Sequence, residues 1–181
     1  MKPTNSLITK ALFALFFTSS VVTFAQSNNT DKALLSESGD IAHHSILAEA
    51  VRASELGELL NNSGPLTIFA PSDAAFERFS SDKITELINA EDKTALKTLL
   101  TYHIVAGQLT ASRILRAMCR GNGTASFTTV QGKKLTAHME GYDIVLTDPV
   151  GNRAKITTAD RNLKNDGIIH EIDSVILPAQ M

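Results

Sequence analysis

Several devices that exported or catalytic proteins rely on are missing here. Cys119 is the single cysteine in 181 residues, so no internal disulfide can form and the fold must rest on an apolar core. Following Ile114, Leu115 and Met118 at the end of a helical pattern, that thiol reads as a small buried group. A second use, an intermolecular disulfide, would give a weak homo-oligomer through Cys119; a catalytic thiol ranks third. Positive charge is not in excess. Lys and Arg number 17 against 19 Asp and Glu, a net of −2, and this mild acidity reads as spread along the chain. That argues against nucleic acid or an anionic membrane as the main partner. No second long apolar run follows the first 25 residues, which argues against stable membrane insertion. Gly132-Lys133-Lys134 has no upstream glycine for a phosphate loop, and neither a Gly-x-Ser-x-Gly elbow nor an Arg-Gly-Asp occurs.

What is present begins with the N-terminus. Lys2 and Lys10 precede an apolar stretch through Phe24, and Thr23-Phe24-Ala25 supplies small residues at −3 and −1. A basic start, an apolar segment of roughly 7–15 residues and a small-residue junction make a secretory signal peptide. Residues 1–25 are thus expected to be removed after Ala25, with export to the periplasm or beyond. No acylation cysteine stands at that junction. Residues 26–37 are mostly polar and read as a disordered leader, and one domain is expected over 38–178.

Within that domain the apolar period changes half-way. Ser45 is expected to cap a helix with Ile46, Leu47, Ala50 and Val51, and Ser54 to open a short one with Leu56, Leu59 and Leu60. A buried strand at 66–70 ends at Pro71. Ser72 or Asp73 then caps a helix carrying Ala75, Phe76 and Phe79, followed by a segment with Ile84, Leu87 and Ile88 and by a helix from Asp92. Residues 102–105 read as a short strand, and Thr110 caps a helix through Met118. Strands are expected at 124–130, 133–139, 142–147, 154–159 and 167–177, with a tight turn at Gln131-Gly132. Helices first and a meander of strands later indicate α+β, the helical half packed on a mostly antiparallel sheet or wedge.

Three stretches, taken in order, resemble the fasciclin (FAS1) domain of extracellular adhesion proteins. They are Leu66-Thr67-Ile68-Phe69-Ala70-Pro71-Ser72-Asp73-Ala74-Ala75-Phe76, then Leu99-Leu100-Thr101-Tyr102-His103-Ile104-Val105-Ala106-Gly107, then the segment from Asp166-Gly167-Ile168-Ile169-His170 through Pro178. Thr129-Val130-Gln131-Gly132 falls where such domains carry a Thr-x-x-Gly hairpin. The resemblance implies a FAS1-like fold in which Pro71, Phe76, Tyr102, His103, Gly132, Gly167 and His170 are structural. It implies adhesion or protein interaction as the function, with no catalysis and no cofactor, and an extracellular or envelope protein or polysaccharide as partner. The alternatives are an apolar carrier of carotenoid-like molecules, which some fasciclin-type proteins are, and a secreted metal-dependent hydrolase.

The histidines decide between scaffold and chemistry. His43 and His44 are adjacent at a helix start, cannot face one ion together, and read as solvated. His138 should point away from the apolar face of its strand. His103 and His170 lie in apolar segments read as strands, where a neutral imidazole can join backbone groups of two elements. His170-Glu171-Ile172-Asp173-Ser174 begins like a zinc-protease helix but lacks the second histidine. Asp160, Asn162 and Glu171 match three positions of a calcium loop that Lys164 and Asn165 spoil. No metal ligand set emerges. Recognition is assigned to two turns on the scaffold, Ser72 with Asp73, and Asp160, Asn162, Asn165 and Asp166. Capping and turn formation are the competing roles for both.

Overall fold

A computed structural model describes residues 43–163 and 165–179. The expected signal peptide and leader lie outside the described residues. In chain order the elements are α1 (Ser45–Ala53), α2 (Gly57–Asn62), β1 (Leu66–Pro71), α3 (Asp73–Asn89), α4 (Thr94–Tyr102), β2 (Ile104–Ala106), α5 (Ala111–Arg120), β3 (Thr124–Thr128), β4 (Lys134–Glu140), β5 (Asp143–Thr147), β6 (Arg153–Leu163) and β7 (Gly167–Ile172). The architecture is α+β with a mostly antiparallel sheet, as the sequence pattern indicates.

The seven strands run in the order β2-β1-β7-β6-β5-β4-β3, with β1 and β7 the one parallel pair. Strand β6 serves two partners. Arg153 to Lys155 pair with β5, the remainder pairs with β7, and the register shifts twice between Ile156 and Arg161. Bulges of this kind sharpen twist. Here the sheet curls until its two ends meet, Val105 bridging Thr129 and Val130 N–H donating to the Ile104 carbonyl at 2.7 Å.

Alternation along β1 separates two cores. Ile68 and Ala70 face the helical layer with Leu47, Val51, Phe76, Ile84, Leu96 and Leu99. Phe69 faces the inside of the curled sheet with Tyr102, Ile114, Met118, Leu135, Leu146, Ile172 and Ile176. With apolar layers on both sides, all six β1 residues are buried, which is why the stretch reads as a continuous apolar run rather than as alternation.

Several expectations need correction. Ser45 does not cap α1, and Ser54 does not open α2. Ser54 is buried, and its hydroxyl donates to the Val51 carbonyl (2.9 Å) at the end of α1. Tyr102 belongs to α4 and His103 to its C-terminal cap, because the His103 N–H joins the Leu100 carbonyl and continues the helical turn. Strand β7 stops at Ile172, and the tail beyond it buries Val175 and Ile176. Gly167 is not the left-handed residue of its turn; Asn165 and Asp166 are, at φ 55° and 58°. Glycine is required at 167 because a Cβ there would stand 3.0 Å from the Leu66 carbonyl oxygen and from Leu163 Cδ2. Gly132 does take a left-handed φ of 88°, closing the β3–β4 turn on the Thr129 carbonyl. Cys119 is exposed rather than buried. Ile114 and Met118, one turn apart, hold the inward side of α5, and the residue after Met118 is rotated about 100° away from it.

Candidate functional site

The residues with chemical potential gather along the seam between the two cores. His103 stands at the end of α4, fully enclosed. Its Nδ1 donates to the Leu99 carbonyl at 2.8 Å and its Nε2 accepts from the Ile176 N–H at 3.3 Å. One nitrogen must carry a proton and the other must not, so the ring is neutral. Burial drives its pKa down to about 4 against the weaker upward pull of the Leu99 carbonyl and the Asp148 charge. Beside it Tyr102 donates its hydroxyl to the Lys134 carbonyl (2.9 Å). Burial, assisted by Asp148, pushes that phenol upward.

Asp148 completes this seam. Its Oδ1 accepts from the N–H groups of Val150 (3.0 Å) and Asn152 (2.8 Å), and its Oδ2 from the Asn152 side-chain amide (2.8 Å) and the Leu177 N–H (2.8 Å). At 4 % exposure it is a buried carboxylate that closes the β5–β6 turn and ties the tail to it. Sequence reasoning missed Asp148. Its signal was an Asp opening the Pro149-Val150-Gly151-Asn152 turn, where a carboxylate can collect N–H groups two and four residues on.

His170 lies on β7 with the opposite tautomer. Its Nε2 donates to the Leu109 carbonyl (2.6 Å) and its Nδ1 accepts from the Asp160 N–H (3.3 Å), while the ring stacks on Phe69 with centroids 5.6 Å apart. Burial lowers its pKa, opposed by the Leu109 hydrogen bond and Asp160. His44 corrects the sequence reading. It is 7 % exposed, with Nδ1 donating to the Pro71 carbonyl (3.1 Å) and Nε2 3.4 Å from Glu171 Oε2. The docking of α1 against the end of β1 buries it, a consequence that no local pattern carries. His138 is half-buried and meets Glu140 at 3.2 Å.

The residues assigned to recognition divide in two. Ser72 caps α3, accepting from the Ala75 N–H at 3.2 Å. Asp73 reaches across to α1 and accepts from Ser45 N–H (3.0 Å), Ile46 N–H (2.9 Å) and the Ser45 hydroxyl (2.6 Å). A carboxylate at that position satisfies orphan donors and complements the helix dipole. Asp160, left-handed at φ 58°, accepts from the Ala111 N–H (2.7 Å) at the start of α5. Asn162 pairs opposite Ile168 and is exposed, as are Asn165 and Asp166. The Asp166 carbonyl accepts from the Gln108 side chain (2.5 Å). Because β1 and β7 are parallel, Ser72 and Asp73 lie beyond one end of the pair and Asn165 and Asp166 before the other, roughly 20 Å apart at 3.3 Å per residue. The two turns do not form one surface.

Among the described residues no three His, Cys, Asp or Glu side chains converge as a metal cluster, and no helix is long and apolar enough to cross a membrane. A sequence profile of the fasciclin domain matches residues 42–178. The chain belongs to the fasciclin family. Similar proteins include sll1483 of Synechocystis sp., 34 % identical over 134 residues that cover 74 % of this chain and 67 % of that one. The cell surface glycolipoprotein MPB83 of Mycobacterium bovis is 32 % identical over 117 residues, 65 % of this chain and 46 % of MPB83. Among solved structures, a FAS1 domain pair from the insect cell adhesion molecule fasciclin I superposes with a TM-score of 0.53 at 23 % identity. That match covers 81 % of this chain and 46 % of the pair, and shows that the fold is shared. Within the fasciclin frame, the stretches around Pro71, Tyr102-His103 and Gly167-His170 meet in space. Pro71 pairs with Ile172 across β1 and β7, His170 pairs with Phe69 in the same ladder, and the Phe69 N–H donates to the His103 carbonyl (2.9 Å).

Proposed function

We propose that this fasciclin domain is exported, with cleavage after Ala25, and serves as a non-catalytic binding module in adhesion at a cell surface or in the extracellular space. One observation carries this reading. The imidazoles of His103 and His170 and the carboxylates of Asp73, Asp148 and Asp160 each hold backbone groups of distant segments. Groups committed in this way build a scaffold, and recognition then belongs to its exposed turns. The end of β6 and the turn after it, with Asn162, Asn165 and Asp166, form the better placed of the two candidates, because these three residues are exposed whereas Ser72 and Asp73 are half-buried.

The apolar cavity between the helices and β1 offers the carrier alternative little room. The enclosed apolar cavity under α1 and α2, lined by Leu47, Val51, Leu56, Leu60, Ile68, Leu100, His103, Ile104 and Leu163, measures about 20 Å³. That is space for one water-sized group, so a long polyene would have to displace the helical layer.

The test is retention from envelope and culture-medium fractions by the immobilised chain, beside a variant carrying Asn162→Ser, Asn165→Gly and Asp166→Gly. Glycine keeps the left-handed backbone available at 165 and 166. The expected result is a protein or polysaccharide retained by the natural chain and lost from the variant at equal thermal stability. Equal retention by both would overturn the assignment of the turn.

A further inference from the structure

The charge of this chain is segregated, not spread. Between Asp92 and Glu140 there is no acidic residue at all, while Lys93, Lys97, Arg113, Arg116, Arg120, Lys133 and Lys134 fall in that stretch of a chain whose net charge is −2. The fold gathers part of it on α5. With Ile114 and Met118 buried, Arg113, Arg116 and Arg120 follow at i, i+3 and i+7 along the opposite, exposed side of the helix. The row is about 10 Å long at 1.5 Å per residue. Arg113 lends one guanidinium N–H to the Gln108 carbonyl (2.6 Å). Among the described residues, no ion pair engages any of these three arginines. By contrast Arg153 and Lys155, on β6, are paired with Glu140 and Asp143. The ammonium of Lys134, at the far end of the β3–β4 hairpin that folds back on α5, donates to the Thr128 hydroxyl (2.7 Å).

We propose that the exposed side of α5 is a docking surface for an extended anionic polysaccharide, with Arg113, Arg116 and Arg120 each taking a carboxylate or sulfate group along the polymer. Guanidinium forks suit planar or tetrahedral oxyanions in bidentate fashion, and a row of them along one axis suits charges repeated along a chain. An anionic lipid surface fits less well. Interfacial helices insert an apolar side, whereas the apolar side of α5 is committed to the core and Leu115, at 39 % exposure, is its one exposed large apolar residue. The surface adjoins the turn after β6 through Gln108, whose carbonyl holds Arg113 and whose side chain donates to the Asp166 carbonyl, but the substitutions that test the two assignments share no residue, so either can fail without the other.

Cys119 supplies the reporter. It is exposed on α5, one turn beyond Arg116, and is the only cysteine, so a fluorophore placed there reads that surface alone. The labelled full chain is titrated with dextran sulfate and with polygalacturonate, with neutral dextran as control and phosphatidylglycerol vesicles as competitor. The expected result is an emission change with one or both anionic polymers, the sulfate and carboxylate arms showing which oxyanion is preferred. It should be absent with dextran and should fade as salt rises from about 0.1 to 1 M, where the Debye length falls from about 10 to 3 Å. Arg116→Gln with Arg120→Gln should weaken binding by tenfold or more, about 1.4 kcal/mol per factor of ten, while Arg153→Gln should leave it unchanged. Equal binding by the double variant, no binding of either polymer, or tighter binding to the vesicles overturns the proposal.

Discussion

His103 and His170 do the same job by opposite means, and the difference between their surroundings explains how a chain without a disulfide holds its two cores together. His103 closes a helix, so the carbonyl within reach of its Nδ1 is that of Leu99 in its own last turn, and Nε2 is left to receive the tail at Ile176. His170 sits in a strand whose backbone is engaged with its neighbours. Its ring reaches sideways, giving a proton from Nε2 to the Leu109 carbonyl and taking one at Nδ1 from Asp160 where β6 bulges. Secondary structure therefore selects the tautomer. The helix-end imidazole fastens the tail and the strand imidazole fastens the approach to α5. Both rings are buried, and the second also stacks on the Phe69 ring.

The sharpest way to break this comparison is to delete each ring. His103→Ala should cost about 4 kcal/mol, the cavity adding to two orphaned backbone groups. His170→Ala should cost less, about 2–3 kcal/mol, because Asp160 and Leu109 lie nearer solvent. Urea unfolding at neutral pH checks both, and equal losses would remove the distinction drawn here. The next largest effect is acid sensitivity. An unfolded chain protonates a histidine below its ordinary 6.5, whereas folded His103 resists down to about 4. The stability supplied by its neutral ring is complete above pH 6.5, declines as pH falls through the window from 6.5 to 4, and is gone below it. The loss is about 3 kcal/mol at 1.36 kcal/mol per unit. His170 adds a loss of the same sign. In His103→Gln that limb of the pH–stability curve should flatten, and an unchanged slope would place the acid sensitivity elsewhere. Smallest is Tyr102→Phe, which removes the hydrogen bond to Lys134 while keeping the ring, at about 1 kcal/mol. A calorimetric shift much larger than this would mean that the phenol anchors more than that one carbonyl.

Much of the fold was legible in the order of residues. The change from helical to strand period, the buried run before Pro71, Thr110 as the cap of α5 and the Gly132 turn all appear where local pattern placed them. The errors share a cause. Asp73 is a good cap by sequence, yet the helix it caps is α1, twenty-eight residues earlier. His44 looks like an exposed helix end until α1 docks on Pro71. Cys119 looks apolar enough for a core that Ile114 and Met118 already fill. Of the candidate recognition residues, Asp160, Asn162, Asn165 and Asp166 are exposed, whereas Ser72 and Asp73 are half-buried.

Caps, turns and apolar periods act within a few residues and were sufficient for the helical and strand halves, while three ordered stretches carried the resemblance to the family and the apolar neighbours of His103 and His170 pointed to buried rings. Which distant backbone group each imidazole and carboxylate also serves depended on partners 10 to 73 residues away. A short polar side chain bonds whatever donor the packed chain brings within about 3 Å, and that identity exists only after the layers have closed.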